Sequence, residues 1–354
     1  MFKKHSIAER DGSDLRAFVL AGGDGTRLQS LTHKIEGDWR PKQFSKIFGG
    51  KSLLTHTRER LRPIFSDDQV AFVVIRSHER FYSKELADVD ASRIVAQPSN
   101  RGTGVAIIAA LLQLLKLAPG AIVGFFPSDH YFADDAAFRA TVRSAIEVSR
   151  KHRDSIVMIG AKPQWPEVEY GWIEPGALMT TGSGTPLFNV NRFWEKPPLA
   201  TARHLMKTGG LWNTFVTIGY GSAFLKLLTD TVPSAVSEIS KGLTQGDPDA
   251  AYRDMEAIDF SRHVLSQNHR QLLVIQDEVS GWADLGNPIR VIETLIRNRI
   301  VPSWLRKMRD VPRLLEEITG VGHPLRRRSS NAVGTNVGDC LTSEEDSTTA
   351  KAAN

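Results

Sequence analysis

The feature that most constrains this chain is a short apolar run at residues 15–21 that passes without a break into Gly22-Gly23-Asp24-Gly25-Thr26-Arg27-Leu28. Such a run ahead of turn residues reads as a buried strand. Glycines at its end let backbone N–H groups approach an anionic ligand closely. Two well-known glycine loops do not fit. A dinucleotide fingerprint requires a third glycine where Leu28 stands, and a phosphate loop ending at Gly49-Gly50-Lys51-Ser52 requires a glycine where Ser45 stands. What remains is a strand-to-loop element in which Arg27 offers a forked cation. A second cation, Lys42, follows in the proline-stiffened segment Arg40-Pro41-Lys42-Gln43-Phe44.

Downstream, apolar periodicity switches repeatedly between strand and helix. It predicts helices over 52–63, 104–117 and 135–152 and strands over 70–75, 93–96, 121–126 and 155–160. This alternation implies a Rossmann-like, mostly parallel sheet flanked by helices, whose ligands sit at the C-terminal strand ends. Asp129 falls at such an end, in Pro127-Ser128-Asp129-His130. Beyond residue 162 the runs shorten and glycine and proline punctuate them, which predicts a mixed, lid-like half with strands at 171–174, 189–195, 214–220 and 271–275. Helices are expected at 200–207, 223–243, 254–264 and 287–299. The domain organisation expected is a polar leader (1–14), a single domain over 15–320 and a disordered tail (321–354). Within the domain, residues 15–162 and 163–286 form two halves and 287–320 the C-terminal helices.

Composition narrows the class. With 354 residues, 41% hydrophobic and 24% charged, the chain can bury a large core. A net charge of +5 partly reflects Lys3, Lys4 and Arg326 to Arg328 near the termini, and no basic stripe with interleaved aromatics argues for nucleic acid. The single cysteine, Cys340, can build neither an internal disulfide nor a thiolate zinc site. No segment sustains the roughly 18 apolar residues a membrane span requires, and the leader does not resemble a signal peptide. A cytoplasmic protein with no membrane partner is the expectation.

The order of motifs carries a resemblance. LAGGDGTRL followed by RPKQF resembles the opening of nucleotidyltransferases that activate sugar 1-phosphates, most closely the mannose-1-phosphate guanylyltransferases. QPSNRGTGVA (97–106), PSDH (127–130), EYGWIE (169–174), FWEKP (193–197), LWNT (211–214) and GWADLG (281–286) follow in the family's order. The resemblance implies a fold of the nucleotide-diphospho-sugar transferase type and an Mg2+-dependent transfer of a nucleoside monophosphate from an NTP, GTP favoured, to a hexose 1-phosphate. It implies catalytic roles for Arg27 and Lys42 and nucleotide contacts from Leu20, Ala21, Gly22, Gly23, Gly25, Thr26, Gln97, Arg101, Gly102 and Thr103. Gly171, Glu195, Lys196 and Asn213 would hold the sugar phosphate, and Asp129 and Asp284 the metal. Read without the family, Asp129 could cap a helix and Asp284 could close an Asx-turn.

Two departures stand out. Gly102 replaces an asparagine and Phe215 a glycine of the usual pattern, which opens base and hexose choice. Uridylyl or thymidylyl transfer to glucose 1-phosphate is therefore an alternative, as is a non-catalytic, nucleotide-sugar-binding regulator. A homodimer is compatible with the sequence.

Overall fold

The computed structural model describes residues 14–179 and 185–307. The expected tail, Cys340, nearly all of the leader and the domain's close near residue 320 lie outside the described residues. The chain divides into two compact units: residues up to Gly23 together with Leu54–Trp282, and Asp24–Leu53 together with residues from Ala283 onward.

The first unit holds one nine-stranded sheet in the order β3-β2-β1-β4-β8-β5-β9-β7-β6. Its strands are β1 (Leu15–Leu20), β2 (Val70–Ile75), β3 (Ile94–Gln97), β4 (Ile122–Pro127), β5 (Ile156–Ala161), β6 (Gly171–Met179), β7 (Leu187–Glu195), β8 (Leu211–Tyr220) and β9 (Leu272–Asp277). The stretch β3-β2-β1-β4 is parallel throughout, as the βα alternation predicts. β8 then enters antiparallel to both β4 and β5, while β9 runs parallel to β5. The two expected halves thus share one mixed sheet. The fold class read from the sequence holds, with its parallel character concentrated in the first half.

The core explains why β4 reads as an unbroken apolar run. Successive side chains of a strand face opposite sides of the sheet. Phe125 stacks on Phe18 at 5.5 Å and meets Phe224 edge-on at 5.1 Å, whereas Phe126 meets Phe65 and Phe138 at 5.7 and 6.3 Å. Helix Gly102–Leu117, buried along most of its length, covers the first of these faces through Val105, Ile108 and Leu111.

Two helical expectations are corrected. The stretch 223–243 is two helices, Gly221–Thr231 and Pro233–Gln245, because Pro233 lacks the N–H that would continue the first. In 254–264 only Phe260–Val264 is helical, and it is wound as a π-helix. Such turns are uncommon and occur frequently at functional sites.

In the second unit, helix Gln29–Glu36 stops at Gly37, whose φ of 82° is the left-handed cap that favours glycine. Trp304, from the short helix Ser303–Arg306, donates its indole N–H to the Ile47 carbonyl at 2.8 Å.

Candidate active site

The C-terminal edge of the parallel strands is where an α/β sheet presents its ligand crevice, and Leu20, Gln97 and Asp129 lie at or just beyond the ends of β1, β3 and β4. Leu20 ends β1, and its carbonyl accepts from both the backbone N–H and the hydroxyl of Ser128, at 3.1 and 2.7 Å. The Ala21 N–H donates to the Val73 carbonyl at 2.8 Å. These bonds tie the glycine loop and the Ser128-Asp129 loop to one strand edge. Gln97 ends β3 and is buried; a β-carbon on Gly22 would stand 3.4 Å from its Nε2, while Gly23 faces open space.

Arg101, Gly102 and Thr103 form a second cluster, organised by a segment that sequence reasoning missed. Ile258 N–H donates to the Arg101 carbonyl at 2.9 Å, Gly104 N–H to the Ile258 carbonyl at 2.8 Å, and Phe260 N–H to Thr103 Oγ1 at 2.9 Å. Gly102, at φ 83°, lies beneath this segment: a β-carbon there would come within 2.4 Å of the Ile258 oxygen. The asparagine of the usual pattern has no room here. Nor does the Arg101 guanidinium match the direct nucleotide contact expected of it, because Nε donates to the Tyr252 carbonyl at 3.0 Å and Nη2 to the Arg253 carbonyl at 2.8 Å. No local signal in 258–260 marks these contacts, since backbone groups make most of them.

Gly171, Glu195 and Asn213 also converge. Gly171 pairs with Glu195 across β6 and β7, and a β-carbon on Gly171 would be 3.1 Å from Glu195 Oε2 and 3.3 Å from Asn213 Cβ. Asn213 is buried; its Oδ1 accepts from the Phe215 N–H at 3.0 Å and its Nδ2 donates to Ser261 Oγ at 3.4 Å. Burial pushes the Glu195 carboxyl up to about 7, with Asp259 adding to the rise and Lys196 and Arg262 opposing it. Lys196 is exposed and donates its N–H to the Tyr170 carbonyl at 3.2 Å. Phe215, where the usual pattern has glycine, holds φ 65° and packs its ring against Phe260 with centroids 6.2 Å apart. A bulky residue in that region is strained.

Asp129 follows β4 and lies 3.8 Å from His130 Nε2 through its Oδ1. It is not a helix cap: Asp134 accepts from Ala136 and Ala137 N–H and starts helix Asp135–Lys151. His130 Nδ1 is 3.1 Å from Trp282 Nε1, and Trp282 packs against Tyr170 and Trp212 at 5.1 and 6.2 Å. Trp212 is a core aromatic, only 2% exposed.

In the second unit, Gly25 (φ 60°) precedes the turn Thr26–Leu28 that carries Arg27, with Thr26 and Arg27 both exposed. Lys42 is 6% exposed, and its Nζ donates to the backbone carbonyl of Asp284. The Asp284 carboxylate is not satisfied as an Asx-turn would require: its Oδ1 is buried and accepts no hydrogen bond, with Arg290 Nη1 3.7 Å away. Arg290 is a further residue the motifs did not reveal. A buried carboxylate oxygen without a donor fits a hard cation, which takes oxygen ligands and usually only one or two protein carboxylates. Among the described residues no group of three or more His, Cys, Asp or Glu side chains is arranged to hold a metal.

Comparison with known proteins identifies the family. The nucleotidyl transferase family model matches residues 16–295. The xanthan biosynthesis protein XanB of Xanthomonas campestris is 31% identical over 289 residues, covering 78% of this chain and 58% of XanB. A mannose-1-phosphate guanylyltransferase of Escherichia coli is 28% identical over 291 residues, covering 78% of this chain and 58% of that protein. The chain therefore spans somewhat over half the length of the curated relatives it matches. Among solved structures, a protein described as a mannose-1-phosphate geranyltransferase from Thermus thermophilus superposes with a TM-score of 0.68 at 28% identity, covering 77% of each chain. No helix among the described residues is long and apolar enough to cross a membrane. With its glycine loop, strand-edge cluster and family match over most of its length, the chain belongs to the nucleotidyl transferase family.

Proposed function

We propose that the protein transfers GMP from GTP to mannose 1-phosphate, forming GDP-mannose and pyrophosphate. A phosphate oxygen of mannose 1-phosphate bonds to the α-phosphorus of GTP as the bond from that phosphorus to the pyrophosphate breaks. Little covalent chemistry falls to the protein, so positioning and positive charge dominate. In this reading Gln97 and the Gly102-Thr103 turn, braced by Arg101, hold the base, and Gly171, Glu195 and Asn213 hold the sugar hydroxyls. Lys196 meets the sugar phosphate, Lys42 the reacting phosphates and Arg27 the departing pyrophosphate. Asp129 and Asp284 are the carboxylates that would hold Mg2+, which when bound would screen the charge of the phosphate oxygens.

The observation that carries the reading is the environment of Asp284. A buried carboxylate oxygen that accepts no hydrogen bond, with Arg290 Nη1 3.7 Å away and Lys42 on the backbone carbonyl of the same residue, supports a cation and an anionic ligand at this place. Relatives described as mannose-1-phosphate guanylyltransferases support GTP and mannose 1-phosphate as the pair. Gly102 favours the second reading, uridylyl or thymidylyl transfer to glucose 1-phosphate, because no side chain can occupy that position to read guanine.

The deciding experiment is pyrophosphate release with Mg2+, crossing ATP, GTP, UTP and dTTP with mannose 1-phosphate and glucose 1-phosphate. Turnover confined to GTP and mannose 1-phosphate is expected. Turnover with UTP or dTTP and glucose 1-phosphate would replace it by the second reading, and folded protein with no turnover on any pair would remove the enzymatic assignment.

A further inference from the structure

Gln97 is held from behind by a tyrosine that comes from 155 residues further along the chain. The Tyr252 hydroxyl donates to Gln97 Oε1 at 3.1 Å, with both residues 4% exposed. The other end of the amide, Nε2, faces Gly22, at 3.4 Å from where a β-carbon on that glycine would stand. An amide has a donor end and an acceptor end, so a donor fixed at one side decides which end is presented at the other. Burial pushes the Tyr252 phenol well above its ordinary range, so the hydroxyl keeps its proton and acts as the donor.

Tyr252 is itself fixed. It lies in the short helix Pro248–Arg253, started by Asp247, whose side chain accepts from the Ala250 N–H. The Arg101 guanidinium, committed to the Tyr252 and Arg253 carbonyls, holds the end of that helix. Gly102 cannot carry a side chain that would share the reading of the base.

We infer that Tyr252, clamped by Arg101, sets the polarity of the Gln97 amide, so that the nucleotide loop presents an N–H donor and selects bases with a keto oxygen at purine C6 or pyrimidine C4 over bases with an amino group there. This rests on the nucleotidyl-transfer reading of the site, and it makes Arg101 and Tyr252 positioning residues that do not touch the base. At that position guanine, uracil and thymine offer a carbonyl oxygen to such a donor, whereas adenine and cytosine would set an amino group against it. A buried donor facing another donor is left unpaired, which makes rejection of the wrong base strong.

The test measures dissociation constants for GTP, UTP, ATP and CTP by calorimetry on the full chain, with pyrophosphate release in parallel. Wild type should bind GTP or UTP more tightly than both amino-base nucleotides. Tyr252→Phe keeps the ring and removes the donor, and should lower that preference about tenfold, the size of one net hydrogen bond. Gln97→Glu presents an acceptor at both ends and should favour ATP or CTP; thermal melting verifies that both variants are folded. A wild type that prefers ATP or CTP, or a folded Tyr252→Phe with unchanged preference, overturns the inference. So does a Gln97→Glu variant that keeps the keto preference. Selective binding that responds to these variants without any pyrophosphate release would support the inference while removing the proposed reaction, and absence of binding by any nucleotide would overturn both.

Discussion

Gly25 and Lys42 are packed backbone to backbone: a β-carbon on Gly25 would stand 2.8 Å from the Lys42 nitrogen and 3.0 Å from its Cβ. The cation expected to act on phosphate is thus seated against the glycine loop. Gly25→Ala adds a clash to the strain of a left-handed φ, which alone costs about 1–2 kcal/mol. Gly37→Ala, equally left-handed but facing open space, bears the strain without the clash. Thermal unfolding should show Gly25→Ala to be the less stable, and pyrophosphate release should fall at least about tenfold, because displaced catalytic groups lose rate steeply.

Asp284→Asn keeps the shape of the side chain and removes its charge. The buried Oδ1 accepts no hydrogen bond, so the folded protein loses only the long ion pair to Arg290 at 3.7 Å. Melting temperature without metal should change slightly, whereas turnover should fall by about 10²–10³, the scale of one lost electrostatic contact. Chelation by EDTA should abolish wild-type turnover, and Mg2+ added with nucleotide should raise the wild-type melting temperature more than that of the variant.

Glu195 gives a pH dependence. Its carboxyl is raised from 4.5 to about 7, first by burial and then by Asp259, against Lys196 and Arg262. The folded state holds this proton more tightly than the unfolded one. The group's stabilising contribution is therefore complete below about pH 4.5 and is lost as pH rises through about 7. Urea unfolding of wild type and Glu195→Gln across roughly pH 4 to 8 should show a decline in wild type that is shallower in the variant. An apparent ionisation near neutrality in sugar-phosphate affinity should disappear with it.

Phe215 inverts a usual order. Glycine is ordinarily less favourable than alanine by roughly 0.5–1 kcal/mol, but Phe215 holds φ 65°, where alanine is strained and glycine is not. Phe215→Gly should be more stable than Phe215→Ala by about 1 kcal/mol, even though both lose the packing on Phe260. Chemical denaturation of the two variants measures the difference, and an alanine variant at least as stable as the glycine one would falsify the strained assignment.

Much of the site was legible because its demands are local. The strand running into Gly22–Leu28, the tip of β4 at Asp129 and the βα alternation are set by short-range periodicity and by residues the backbone itself requires. The stretch 223–243 breaks at Pro233 inside an otherwise continuous helical pattern, and in 254–264 the backbone before Phe260 is extended to bond Arg101 and Gly104 instead of winding into a helix.

The amino-acid sequence by itself determined the family, the parallel half of the sheet, and which residue types could serve phosphate, sugar and metal. Only the tertiary structure decided how those residues are held. Arg101 reads in the sequence as a ligand contact, yet its guanidinium clamps the carbonyls of Tyr252 and Arg253. Asp284 reads as either a turn residue or a ligand, and its buried, unsatisfied oxygen favours the ligand. The reason is physical: hydrogen bonds between groups far apart in the sequence leave no period or spacing in the chain, because they depend on where the folded backbone brings donor and acceptor together.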